Sequence, residues 1–283
     1  MIAYFWILFT QLALATPCSS PPFVLVETQD DAAICIKRYP SAGPPVLIAH
    51  GISSNHRFWD LNSKYSLAQY LHDKGFDVYN MDFRGHGNAK RNAKGKKQKS
   101  GWSIDSYGMY DIKAAIDYIA TQKNEKPFYI AHSLGGMALI SYMSHHSSDA
   151  LKKIAVFGSP FDFRHKERLL HVAQEGSRFA FFTIPTPFLA NIVSIFKKTP
   201  ANLDHMLWGP ENIEPSIRKE LFRNIVSPMT RVELRHLYRS LRAESFIHYK
   251  GSLDYKEKLT KQTVPALFVA GRNDRVAPAD RVY

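Results

Sequence analysis

Five short runs of almost unbroken apolar residues recur along this chain, each closed by glycine or another turn-forming residue. They occupy residues 46–49 before His50-Gly51, 78–81 before Asp82-Phe83-Arg84-Gly85-His86-Gly87, 128–131 before Ser133, 154–157 before Gly158-Ser159-Pro160, and 266–270 before Gly271-Arg272-Asn273-Asp274. Runs of this length fit strands, and the lack of polar alternation means that both faces are covered, as in a parallel sheet. Between them lie helical patterns. Leu67, Tyr70 and Leu71 form one stripe that stops at Gly75. Ile112, Ala114, Ile116, Tyr118 and Ile119 form another ahead of Pro127. Strand alternating with helix predicts an α/β fold with a doubly wound, mostly parallel sheet. Chemistry is then expected at the carboxyl ends of the strands, where the polar clusters fall.

One stretch interrupts the alternation. Residues 161–249 are aromatic-rich, helical in spacing and broken by Pro185, Pro187, Pro200, Pro210, Pro215 and Pro228. Lying between two strand-length runs, they read as a helical cap inserted into a core of residues 16–160 and 250–283. Phe179, Phe181, Phe182, Phe188, Ile192 and Phe196 exceed the apolar needs of a surface loop. Cap core explains most of them, and the wall of a greasy substrate tunnel would use some.

Residues 1–15, MIAYFWILFTQLALA, end in the small-residue pattern Ala13-Leu14-Ala15 and read as a secretory signal peptide, although no Lys or Arg precedes the apolar run. The run is short for a membrane span and interrupted by Thr10 and Gln11, so a retained anchor is the alternative. The expected location is secreted or periplasmic. Cys18 and Cys35 would survive cleavage, either bridged or as two thiols. No His cluster stands near them, so no metal is expected. The chain carries 37 Lys+Arg against 25 Asp+Glu. Much of the excess sits in Lys90-Arg91 and residues 94–99, with no aromatic residue between the charges, so nucleic acid is not an expected partner. A solvated loop is the plain reading; peripheral contact with an anionic membrane or substrate aggregate is the other.

The residues that carry chemistry are in Tyr129-Ile130-Ala131-His132-Ser133-Leu134-Gly135-Gly136. A serine lifted on a strand-to-helix turn needs small residues two places before and after it, because the turn brings their backbones together. Here they are Ala131 and Gly135, one methyl group away from G-x-S-x-G. A helix starting at the serine aims backbone N–H groups at a developing oxyanion. The N–H of Leu134 is one expected donor, and that of Ile52, after the strand ending at His50-Gly51, is the second. His50 reads as a structural hydrogen-bonder.

With these pieces in place the chain resembles an α/β-hydrolase fold serine hydrolase, from His50-Gly51 through the RGHG and AHSLGG stretches to Gly271–Pro278. The segment from Trp102 to Asp111, WSIDSYGMYD, is similar to acid and monoglyceride lipases, and RGHG likewise to monoglyceride lipases. The resemblance implies a lipase-like carboxylic ester hydrolase acting on a small-molecule or lipid ester without a cofactor. It places the nucleophile on Ser133 and the acid on Asp274, with Asp162 as a competing acid; Asp82 and Asp111 read as structural.

The family's base is a histidine beyond the acid, and all 12 histidines here precede Asp274. His132 should point away from Ser133. His56 and His86 lie on loops at the same sheet edge, while His165, His171, His205, His236 and His248 fall in the cap. None is named as the base, and the expectation is a sequence lacking its last strand, its histidine and its final helix. Two alternatives stay open: a peptidase, thioesterase or acyltransferase of the same fold, and a non-catalytic hydrolase-like scaffold that binds an apolar ligand or a partner.

Overall fold

The computed structural model describes residues 18, 20–98, 101–164, 186, 187, 190, 209, 212–259, 262–274 and 276–282. The leader, most of residues 165–211 and the aromatic residues named there lie outside these, as do His165, His171 and His205.

A mixed seven-stranded sheet organises the chain in the order β1-β2-β4-β3-β5-β6-β7. Its parallel part is β4 (Asp77–Asp82), β3 (Pro45–Ala49), β5 (Phe128–His132), β6 (Ile154–Phe157) and β7 (Ala266–Val269). These are the five apolar runs. Burial explains their composition: every residue of β3 and β4 is buried, and Leu47 and Ile48 are 0% exposed. Each fully buried aliphatic side chain contributes about 1.5–3 kcal/mol.

β7 departs from the doubly covered expectation. It pairs with β6, Ala266 and Leu267 are exposed, and Leu267 retains 57% of its accessible surface.

Two further strands precede the parallel set. β1 (Phe23–Glu27) and β2 (Ala33–Tyr39) form an antiparallel hairpin, and β2 runs antiparallel to β4 with Cys35 opposite Asp82. The hairpin turn is tied by Thr28 N–H to Ala32 O (3.0 Å) and by the Thr28 hydroxyl to Asp30 (2.7 Å). Because β2 opposes β4, this turn lies at the carboxyl edge of the parallel strands. Cys18 and Cys35 form a disulfide.

Helices cover the sheet. α1 (Leu67–Asp73) starts at Ser66, whose hydroxyl accepts from Gln69 N–H, and matches the Leu67–Leu71 stripe. The second stripe begins at the end of a π-turn (Tyr107–Ile112), itself preceded by α2 (Ile104–Ser106), and continues through α3 (Lys113–Gln122). α4 (Leu134–His145) is buried from Leu134 through Met143, which accounts for its near-total lack of polar residues. Between β6 and β7 the described residues include α5 (Pro215–Asn224) and α6 (Arg231–Ala243), the latter opened by a Thr230/Glu233 capping box. α7 (Tyr255–Leu259) precedes β7, and α8 (Ala279–Val282) follows it.

Candidate active site

Ser133 stands where β5 gives way to α4, with φ 51° and ψ −116°. A non-glycine residue at positive φ is held there only by its surroundings. The constraints are visible. Ser133 N–H donates to Phe157 O at 2.9 Å, and Ser133 O accepts from the Ser159 hydroxyl at 2.7 Å, so the end of β6 grips the turn from both sides. The paired glycines permit the close approach: a Cβ on Gly135 would lie 2.8 Å from His50 O, and one on Gly136 would run into the Ser159 side chain. Ser159 is a residue that the sequence reading missed; its position in the turn after β6 was the available signal.

The loop after β3 closes against this turn. A Cβ on Gly51 would sit 2.8 Å from His132 Nδ1 and 3.2 Å from Ser133 Cβ, so glycine is what lets the loop that carries Ile52 close against the turn here. The loop is pinned from the chain between β6 and β7. Ser53 Oγ donates to Ser227 O (2.7 Å), Ser227 N–H donates to Ser53 O (2.9 Å), and Asn55 Nδ2 donates to Asn224 O (3.0 Å). Leu134 is the first residue of α4, and the opening N–H groups of a helix have no acceptor within it.

Asp274 lies in the loop after β7. Its Oδ1 accepts from the N–H groups of Val276 (2.9 Å) and Ala277 (2.8 Å), which fixes the carboxylate. Its Oδ2 is 3.4 Å from the point a Cβ on Gly158 would occupy, and His132 Nε2 is 3.6 Å from that same point. Ser133 and Asp274 thus flank one turn, the Phe157-Gly158 end of β6. Asp162 is engaged elsewhere, by an ion pair with Arg164 and another with Lys256 (2.6 Å). Burial works against its charged form, but those two cations hold its carboxyl well below the usual range.

Each histidine near the rim is committed to a partner or to packing. His50 Nδ1 bonds Gly51 O (2.8 Å) while Phe83 N–H donates to its Nε2 (3.3 Å), tying the ends of β3 and β4. Burial, with His86 beside it, pushes its pKa down to about 3, so the ring is neutral. His56 Nδ1 pairs with Asp82 Oδ2 at 2.8 Å, and Asp82 also accepts from His56 N–H and Asn88 N–H. His86 Nδ1 bonds Arg84 O, and His236 bridges Ile104 N–H and Ile247 O. His248 Nε2 lies 3.5 Å from Asp105. His132 stacks on Phe58 with ring centroids 4.6 Å apart; its buried Nδ1 has no hydrogen-bond partner, and burial, opposed by the charge of Asp274, lowers its pKa to about 4.

Asp82 and Asp111 both act as braces. Arg84 donates through Nε to Asp111 Oδ1 (2.7 Å) and through its backbone N–H to Asp111 Oδ2 (3.0 Å), while its guanidinium also grips Asp30. Among the described residues no group of three His, Cys, Asp or Glu side chains could hold a metal ion, and no helix is long and apolar enough to cross a membrane.

A mostly parallel sheet with a serine at a strained strand-to-helix turn and a carboxylate beyond a later strand defines the α/β-hydrolase class. The profile of the family described as "Serine aminopeptidase, S33" (Hydrolase_4) matches residues 41–282, and the chain belongs to that family of α/β hydrolases. The AB hydrolase superfamily protein YisY of Bacillus subtilis is 24% identical over 84% of this chain and 77% of its own length. Triacylglycerol lipase 1 of Arabidopsis thaliana is 31% identical over 46% of this chain. That match spans only 36% of the plant lipase, and the match to human lipase member K spans 30% of it. An esterase from Exiguobacterium antarcticum superposes with a TM-score of 0.61 at 17% identity, over 91% of this chain and 84% of that one, a likeness of fold.

Proposed function

We propose that the protein is a serine carboxylic ester hydrolase of lipase or esterase type, working through an acyl-enzyme on Ser133. The observation that carries the reading is Ser133 itself: a non-glycine residue at positive φ, at the mouth of a buried helix, sharing the β6 turn with a fixed carboxylate. Strain of this kind is retained where a side chain must be presented. In the proposed reaction the Ser133 hydroxyl attacks the ester carbonyl. The N–H groups of Leu134 and Ile52 stabilise the oxyanion, and a neutral imidazole oriented by Asp274 accepts the serine proton and returns it to the leaving alcohol. Water then releases the acid. No residue is assigned as that imidazole: among the described residues the ring facing Asp274 belongs to His132, which is packed rather than hydrogen-bonded to Ser133.

The family description favours one competing reading, a peptidase acting on amino-terminal amides. p-Nitrophenyl esters of graded acyl length, compared with aminoacyl anilides on the complete natural polypeptide, separate the two. Ester turnover that is lost in Ser133→Ala supports the proposal; turnover of anilides alone refutes it.

A further inference from the structure

We infer that the basic hairpin after β4 is a docking surface for anionic phospholipid bilayers, set on the same rim as Ser133. Within residues 90–97 Lys90, Arg91, Lys94, Lys96 and Lys97 are all exposed. This is a built element rather than a loose charged run. Arg91 and Lys97 form an antiparallel bridge, Asn92 O accepts from Gly95 N–H (2.9 Å), and Asn92 N–H donates to Lys96 O (3.0 Å). Its base is anchored by buried Gln98, which donates to Ala33 O and Ala89 O (both 2.7 Å) and accepts from Ala33 N–H (3.0 Å).

Topology decides at which edge of the sheet the hairpin sits. The hairpin follows the carboxyl end of β4 and is fastened to Ala33, the first residue of β2, which sits at that same end because β2 opposes β4. Ser133 leaves the carboxyl end of β5, two strand positions from β4 and three from β2, a lateral offset of about 10–15 Å. A surface that meets the lysines therefore also meets the rim of the proposed site. The acidic groups facing the hairpin offset it only in part: Asp30 is paired with Arg84, and Asp31 forms an ion pair with Lys94 (3.7 Å) that is exposed on both sides and therefore weak, against five basic side chains in residues 90–97. Nucleic acid fits less well, because no aromatic side chain lies among residues 90–97 to stack on bases. The inference rests on the ester-hydrolase reading only for its purpose, since binding needs no catalysis.

The test uses the complete natural polypeptide carrying Ser133→Ala, so that lipid is not consumed, and vesicles of phosphatidylcholine with or without phosphatidylglycerol. Sedimentation should show binding to the anionic vesicles and none to phosphatidylcholine alone. Raising the salt should weaken the binding, since charges beyond about 8 Å are screened at physiological ionic strength. Each basic residue at a bilayer surface is worth about fivefold, so Lys94→Gln/Lys96→Gln/Lys97→Gln should lower affinity about 100-fold. All three side chains are exposed, so the variant's melting temperature should stay at the parent value, and conservative Lys→Arg replacements should restore binding. Binding unchanged in the triple Gln variant, equal binding to neutral vesicles, or retention on polyuridylate without vesicle binding would each overturn the inference.

Discussion

Replacing Arg84 by Met tests how the rim after β4 is held. Arg84 and Asp111 are 4% and 0% exposed at their side chains, and Asp111 accepts two hydrogen bonds, one from the guanidinium and one from the Arg84 backbone. Met fills much of the same volume but leaves the Asp111 carboxylate buried without a cation. Asp30 loses its cation too, but it keeps the Thr28 hydroxyl and at 31% exposure can rehydrate, so Asp111 dominates the cost. Removing one member of a buried pair destabilises by about 3–5 kcal/mol, whereas replacing both by apolar groups is often close to neutral. Urea unfolding should therefore place Arg84→Met about 3–5 kcal/mol below the parent, with Arg84→Met/Asp111→Leu recovering most of the loss. The sign with pH is also fixed. Burial already raises the Asp111 pKa with Arg84 opposing it, and loss of the cation raises it further, so the variant's deficit should shrink as pH falls towards the carboxylate range and grow towards neutrality. A deficit below about 1 kcal/mol at neutral pH, or a double variant no better than the single, would refute the reasoning.

Three further outcomes are expected. Gly51→Ala places a methyl group against His132 and Ser133, and should cost about 1–3 kcal/mol in chemical denaturation while slowing modification of the serine. Reduction of the Cys18–Cys35 disulfide, which closes a sequence separation of 17, or Cys18→Ser/Cys35→Ser, should lower stability by about 3 kcal/mol. His50 and His132 are held neutral with lowered pKa values, so the unfolded chain binds more protons below about pH 6.5. Stability should fall as pH drops through that region towards 4, and the decline measured by urea titration should be shallower in His132→Gln.

The parallel core was legible because its strands are buried on both faces and so carry an unbroken apolar signature. β1 and β2 were not read although each opens on a short apolar run: residues 23–26 are only half-buried, and the buried start of β2 gives way to Lys37 and Arg38 before Tyr39, so the pair lacks the continuous two-faced burial that marks the parallel strands. At the site, Ser133 and its small neighbours were legible because backbone crowding at the turn restricts residue type. The brace of the Ile52 loop by Ser227 and Asn224 was not, since it joins residues about 170 positions apart through backbone oxygens that any residue supplies. Likewise Arg84, Asp111 and Asp30 are ordinary charges in sequence and become a buried network only when β4, the π-turn and the β1–β2 turn meet.

The most direct test of the account is a fluorophosphonate probe applied to the complete natural polypeptide, with the modified residue located by mass spectrometry. The account predicts one covalent adduct on Ser133, abolished by Ser133→Ala and much slowed by Asp274→Asn. An adduct on another residue, or a folded protein that resists the probe altogether, would contradict it.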